Sequence, residues 1–173
     1  MNKQQTKFKD TETRLRSSSG GQVGQIPEDW EAKELGNICN VLMGQSPPSA
    51  TYNTEREGLP FFQGRKDFGN KYPEKTMWCS MPKRIAEKDS VLLSVRAPIG
   101  DVNVAVEKSC IGRGVAALSM KKGDNEFLFY LMKQNQNILK NTFESGGTVF
   151  GCVNKTGLYK YGSGSSCKRV GKK

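Results

Sequence analysis

Three glycine-punctuated segments set cationic side chains beside runs that read as strands: GLPFFQGRKDFG (58–69), VLLSVRAPIGDVNVAV (91–106) and CIGRGVAALSM (110–120). Each holds an arginine in a tight turn, Arg65, Arg96 or Arg113, and the first adds Gln63 and Lys66. Such a turn presents a guanidinium and backbone N–H groups outward on a rigid base. A guanidinium pairs bidentately with phosphate or with guanine O6 and N7, glutamine pairs with adenine N6 and N7, and lysine neutralises phosphate. The chemistry on offer is grip on a polyanion, so a nucleic-acid-facing surface is the first expectation. The competing role for Arg96 and Arg113 is to brace a turn by bonding loop carbonyls or Asp101. For Gln63, Arg65 and Lys66 it is a solvated charged hairpin.

Weaker candidates flank these. The GQSP loop (44–47) can present Gln45 and Ser46 to backbone oxygens, or only redirect the chain. Thr148, Asn154 and Lys155 lie in GGTVFGCVNK (146–155), a glycine-flanked stretch that reaches a groove or merely joins strands. Tyr52, Asn53 and Arg56 occupy a polar loop suited to base readout. Phe61, Phe62, Trp78 and Phe129 read as core rather than stacking platforms.

Other chemistries lack their residues. The chain has no histidine, which removes Ser/His and Cys/His nucleophile systems. Its cysteines (39, 79, 110, 152, 167) form no CxxC pair, so a zinc site is not expected. They read as small inert fillers, reduced in a cytoplasmic protein, given an odd count and no signal peptide. SPPS (46–49) lacks the acidic or amide residue and the aromatic of a base-methylating loop, and no phosphate-cradling GxxxxGK[ST] occurs. Asp89 and Asp101 do not form the carboxylate cluster that would hold Mg²⁺. No apolar stretch approaches the ~20 residues a membrane span needs. The expectation is a binding protein without catalysis or bound cofactor.

The turns need a scaffold. ICNVLMG (38–44), LPFFQG (59–64), TMWCS (76–80), SVLLSVRA (90–97), VNVAVE (102–107) and GVAALSM (114–120) are short, β-branched or aromatic, and bounded by turn residues. DNEFLFYLMKQNQNILKNTF (124–143) repeats Phe127, Leu128, Leu131, Met132, Ile138 and Leu139 near helical spacing, with Asp124 or Asn125 to cap it. Residues 144–161 return to loop and strand. Pro27 suits a first helical position or a turn. The predicted class is α+β: a strongly turned, mostly antiparallel β-sheet with one or two flanking helices.

Charge is unevenly spread over the 173 residues. Of a formal +10, residues 1–25 carry +3 and residues 160–173 carry +5, which leaves +2 for the body between. Local clustering, not net charge, must therefore make any recognition surface. Residues 1–25 read as a flexible leader and 160–173 as a disordered basic tail, with the ordered domain at 26–159.

Six strings in order, IPEDWE (26–31), LGNICNVLMGQSP (35–47), GLPFFQGRKDFG (58–69), SVRAPIGDVN (94–103), CIGRG (110–114) and GGTVFGCVNK (146–155), resemble the target-recognition domain of type I restriction-modification specificity (S) subunits. The resemblance implies a non-catalytic component that reads half of a split double-stranded DNA target. It would dock methyltransferase (M) subunits and, through them, a restriction (R) subunit. S-adenosylmethionine, ATP and Mg²⁺ would then belong to those partners. The family has two such domains joined by spacer helices; this chain shows one, so a homodimer is one way to supply the pair. KYGSGSSCKRVGKK (160–173) replaces the apolar, proline-bearing strand and spacer helix that follow in the family. That change is expected to mark a frameshifted or truncated gene end. The alternatives are a docking module for the M subunit and a non-functional truncated product.

Overall fold

Both faces of the run Val91–Ser94 are covered, which is why it shows no polar alternation. The computed structural model describes residues 8–9, 26–27, 30–144 and 152–167. In chain order its elements begin with β1 (Phe8–Lys9), β2 (Ile26–Pro27), β3 (Trp30–Glu34), α1 (Leu35–Ile38) and β4 (Cys39–Met43). Then come β5 (Tyr52–Asn53), β6 (Leu59–Phe62), β7 (Trp78–Cys79), β8 (Ile85–Ala86), β9 (Val91–Ser94) and β10 (Val102–Val104). The rest are β11 (Ser109–Ile111), β12 (Val115–Met120), α2 (Asn125–Gln134), α3 (Gln136–Glu144), α4 (Lys155–Lys160) and β13 (Gly162–Cys167).

One sheet is antiparallel throughout, in the order β10-β9-β12-β4. A second runs β5-β7-β6-β11-β8 and is antiparallel except where β11 lies parallel to β6. The fold is α+β with antiparallel pairing dominant, as the short strands predict.

Successive strand side chains face opposite sides. Val91, Leu93, Ala116 and Leu118 accordingly join a core with Leu128, Phe129, Met132 and Leu139 of the helices. Their neighbours Leu92, Val115 and Ala117 enter a second core with Phe62 and Ile111 of the other sheet. Each fully buried Leu or Phe contributes about 1.5–3 kcal/mol, and a one-residue register slip would exchange both sets at once. The four-stranded sheet is thereby clamped between helices and sheet, a rigid base for the turns at its ends. Phe61, Phe62 and Phe129 are core, and Trp78 is half-buried.

The helix predicted over 124–143 forms in two pieces that meet at Asn135, whose amide donates to the Leu131 carbonyl at 2.8 Å. Asp124 caps the first, accepting from Glu126 N at 2.8 Å. Ile138, assigned to the apolar face, is 40% exposed, and Phe129 takes a core place instead.

Two local expectations are corrected. Residues 155–160 are helical rather than loop or strand. Asn154 caps that helix through Gly157 N at 2.7 Å, and a Cβ on Gly157 would meet the Phe143 ring at 3.2 Å. A side chain at this glycine, which lowers helix propensity, would need that ring to shift by a few tenths of an ångström. Ile26–Pro27 is extended and pairs with Phe8–Lys9 inside the expected leader. In the expected tail, Gly162–Cys167 pairs antiparallel with Trp30–Glu34. Backbone pairing needs no apolar side chains, so composition does not announce it.

Cys39, Cys79 and Cys110 are fully buried, in keeping with fillers, whereas Cys152 is exposed. Burial pushes the thiols of Cys39 and Cys110 up to about 12. No helix among the described residues is long and apolar enough to cross a membrane.

Candidate nucleic-acid interface

Four turns distant in sequence are bonded into one block. At the end of β4, Gly44 N donates to Val115 O at 2.9 Å and Gln45 N to Ile111 O at 3.0 Å. In the CIGRG turn, Gly112 N reaches Phe62 O at 2.8 Å, and Arg113 N reaches Ser46 Oγ at 3.3 Å. Val95 N then donates to Gly114 O at 3.0 Å, which ties the SVRAPIG turn to the same block. The approach is close enough to demand glycine. A Cβ on Gly114 would stand 2.2 Å from the carbonyl oxygen of Gln63.

Two side chains fix the turns from inside. Ser94 Oγ donates to Pro98 O at 3.0 Å and accepts Asp101 N at 2.9 Å, which closes the loop that carries Arg96. Asp67 is buried and accepts Gln63 N at 2.6 Å and Gly64 N at 3.3 Å, which shapes the loop that carries Arg65 and Lys66. Neither backbone N–H is then left orphaned inside the fold.

Around the block opens a cleft of about 930 Å³. Ser46, Gln63, Arg65, Lys66, Arg96 and Arg113 line it, with Tyr52 and Phe68 on its wall. The four cationic residues are exposed. Among the described residues, neither the Arg96 nor the Arg113 guanidinium has a hydrogen bond or ion pair, so bracing does not describe them. Arg65 departs from the solvated-hairpin alternative. Its Nε bonds Asp101 Oδ2 at 2.6 Å, so the hairpin is anchored across the cleft wall rather than freely solvated. Lys66 Nζ lies 3.6 Å from Asp67 Oδ1, and Gln63 Nε2 lies 3.4 Å from Met77 Sδ.

The remaining candidates fall elsewhere. Gln45 is exposed but does not line the cleft. The Asn154 amide oxygen is occupied as a helix cap, and Lys155 lies over the Tyr159 ring at 5.3 Å; neither is on the cleft wall. These two are in a capped helix start, not a free loop. Thr148 lies outside the described residues. In the polar loop, Asn53 bonds both backbone groups of Glu57 at 3.0 Å, and Arg56 stacks 5.6 Å from the Trp78 ring centroid.

Sequence reasoning did not single out Asp67 or Phe68 as parts of this site, and it weighed Asp101 as a brace for Arg96 or Arg113 rather than for Arg65. The available signal was position: Asp67 follows the cationic pair by one residue, and Asp101 follows Gly100, whose φ of 97° requires glycine.

Residues 27–162 match the family described as "Type I restriction modification DNA specificity domain". The "Putative type I restriction enzyme MjaX specificity subunit" of Methanocaldococcus jannaschii is 44% identical over 147 residues, 83% of this chain and 34% of that protein. The "Type I restriction enzyme MjaIX specificity subunit" of the same organism is 30% identical over 161 residues, 84% of this chain and 34% of that protein. The crystal structure of an HsdS subunit from Thermoanaerobacter tengcongensis superposes with a TM-score of 0.70 at 36% identity, covering 90% of this chain and 35% of that one. The chain thus spans about a third of the length of the relatives it matches.

Proposed function

We propose, because this chain belongs to the family of type I restriction modification DNA specificity domains, that its cleft face binds double-stranded DNA and reads part of a restriction-modification target. The observation that carries this reading is the convergence of Arg65, Lys66, Arg96 and Arg113 with Gln63 and Ser46 around one open cleft. Backbone hydrogen bonds hold the turns rigidly, so the backbone positions that carry the cations are set before binding. The guanidiniums of Arg96 and Arg113, unpaired among the described residues, serve as phosphate grips that set position, while neighbouring polar side chains face base edges. In this reading the chain has no catalysis of its own. Methylation and cleavage belong to M and R subunits, which also bind S-adenosylmethionine, ATP and Mg²⁺.

Phosphate neutralisation releases counterions, so affinity must fall steeply with salt. Arg96→Ala and Arg113→Ala are each expected to weaken duplex binding by about 1–3 kcal/mol and to reduce the salt slope by about one. Fluorescence anisotropy over a salt titration measures both. Unchanged slopes in both variants would overturn the phosphate role, and a wild-type chain that binds no duplex at low salt would overturn the DNA reading.

A further inference from the structure

The ion pair on the cleft wall leaves part of one guanidinium free in a defined orientation. Arg65 gives its Nε–H to Asp101 Oδ2 at 2.6 Å. Asp101 is itself held. Its other oxygen accepts Gln136 Nε2 at 2.5 Å, its N–H is bound by Ser94 Oγ at 2.9 Å, and its carbonyl accepts Ser94 N–H at 2.9 Å. The β9 turn fixes this carboxylate from one side and α3 from the other. With Nε occupied, the fork of terminal N–H donors on Arg65 remains, on a side chain that is 61% exposed and lines the cleft.

Resting on the DNA-binding reading above, the geometry points to Arg65 as a guanine-reading residue and to Asp101 as the residue that positions it. A carboxylate at ion-pair distance cancels most of the arginine's charge seen from afar. A phosphate approaching Arg65 would therefore feel weaker attraction and would meet a like charge. Guanine O6 and N7 are neutral acceptors that need two parallel N–H donors, and charge cancellation does not remove those. Bracing also orders a long side chain before the ligand arrives, which favours recognition needing tight geometry. Arg96 and Arg113 have no such partner among the described residues and keep their full charge for phosphate.

The test offers the full chain a duplex pool with a randomised centre, then sequences the bound fraction. It compares wild type with Arg65→Lys, Asp101→Asn and Arg96→Ala. Wild type is expected to enrich a site containing one guanine that Arg65→Lys and Asp101→Asn each cease to enrich. The loss of discrimination at that base pair should be about 5- to 100-fold, with the salt dependence unchanged. Arg96→Ala should keep the enriched sequence and bind every duplex more weakly. The assignment is overturned if Asp101→Asn binds all duplexes more tightly with steeper salt dependence, because the carboxylate would then be only a competitor for phosphate. It is also overturned if Arg65→Lys enriches the wild-type site, or if wild type binds duplex without enriching any sequence. Should Asp101→Asn fail to fold, Arg65→Lys decides alone, since that side chain is exposed. A wild type that binds no duplex sinks both readings together, which separates that failure from the others.

Discussion

At the scale of single residues, the cleft depends on small and buried groups as much as on its cations. Gly114 lets the CIGRG turn lie against the Gln63 carbonyl, and Asp67 collects the two N–H groups that begin the Arg65 loop. Replacing Gly114 by alanine would put a Cβ 2.2 Å from Gln63 O, and that oxygen belongs to backbone that cannot swing aside. Gly114→Ala is therefore expected to cost about 1–3 kcal/mol as an overpacked contact. It should also weaken DNA binding by displacing Arg113 and Arg65 together. Urea denaturation and anisotropy check the two effects; a variant with unchanged stability would show that the turns are not packed this tightly. Arg65 carries the other lesson at this scale. Its residue type suggested grip, but its partner, Asp101, lies 36 positions away, and that distance in sequence hid the pairing.

Among the elements, pattern was legible wherever side chains are buried. The strands around Val91–Ser94 and Val115–Met120 were readable because β-branched and aliphatic residues run between turn residues, and both runs are core on both faces. The helix over 124–143 was readable in its spacing but not in its break, because Asn135 interrupts it through a local amide-to-carbonyl bond that leaves the apolar spacing intact. Helix α4 was missed because Gly157 sits inside it. Its cap suggests a test: Asn154→Ala removes the acceptor for Gly157 N and should cost about 0.5–2 kcal/mol. Since Asn154 does not line the cleft, duplex affinity should stay at the wild-type value. Thermal denaturation and anisotropy together check this, and a loss of binding at full stability would restore Asn154 to the interface.

For the whole molecule, burial of ionisable groups sets an alkaline limit. Cys39 and Cys110 are pushed up to about 12 from a thiol value of 9.0, and Tyr161 to about 12 from a phenol value of 10.0, all by burial. Raised values mean that the folded chain keeps protons the unfolded chain has released. The stabilisation is thus fully present below pH 9.0 and is lost as pH climbs towards about 12. Urea midpoints should be level on the acid side of that window and fall progressively through it. A midpoint that stays level across the window would contradict the burial of these groups.

The order of turns and strands, the absence of histidine chemistry and the candidate cations were all written in the sequence alone, because each depends on residue type or on short-range spacing. Family resemblance rested on the same local strings. Only the tertiary structure decided that Ser46, Gln63, Arg65, Arg96 and Arg113 share one cleft while Asn154 and Lys155 do not. It also decided that Arg65 is held by Asp101 while Arg96 and Arg113 stand unpaired among the described residues. The reason is physical: hydrogen bonds and ion pairs between distant segments depend on how two sheets and their helices stack, and no local pattern encodes that distance.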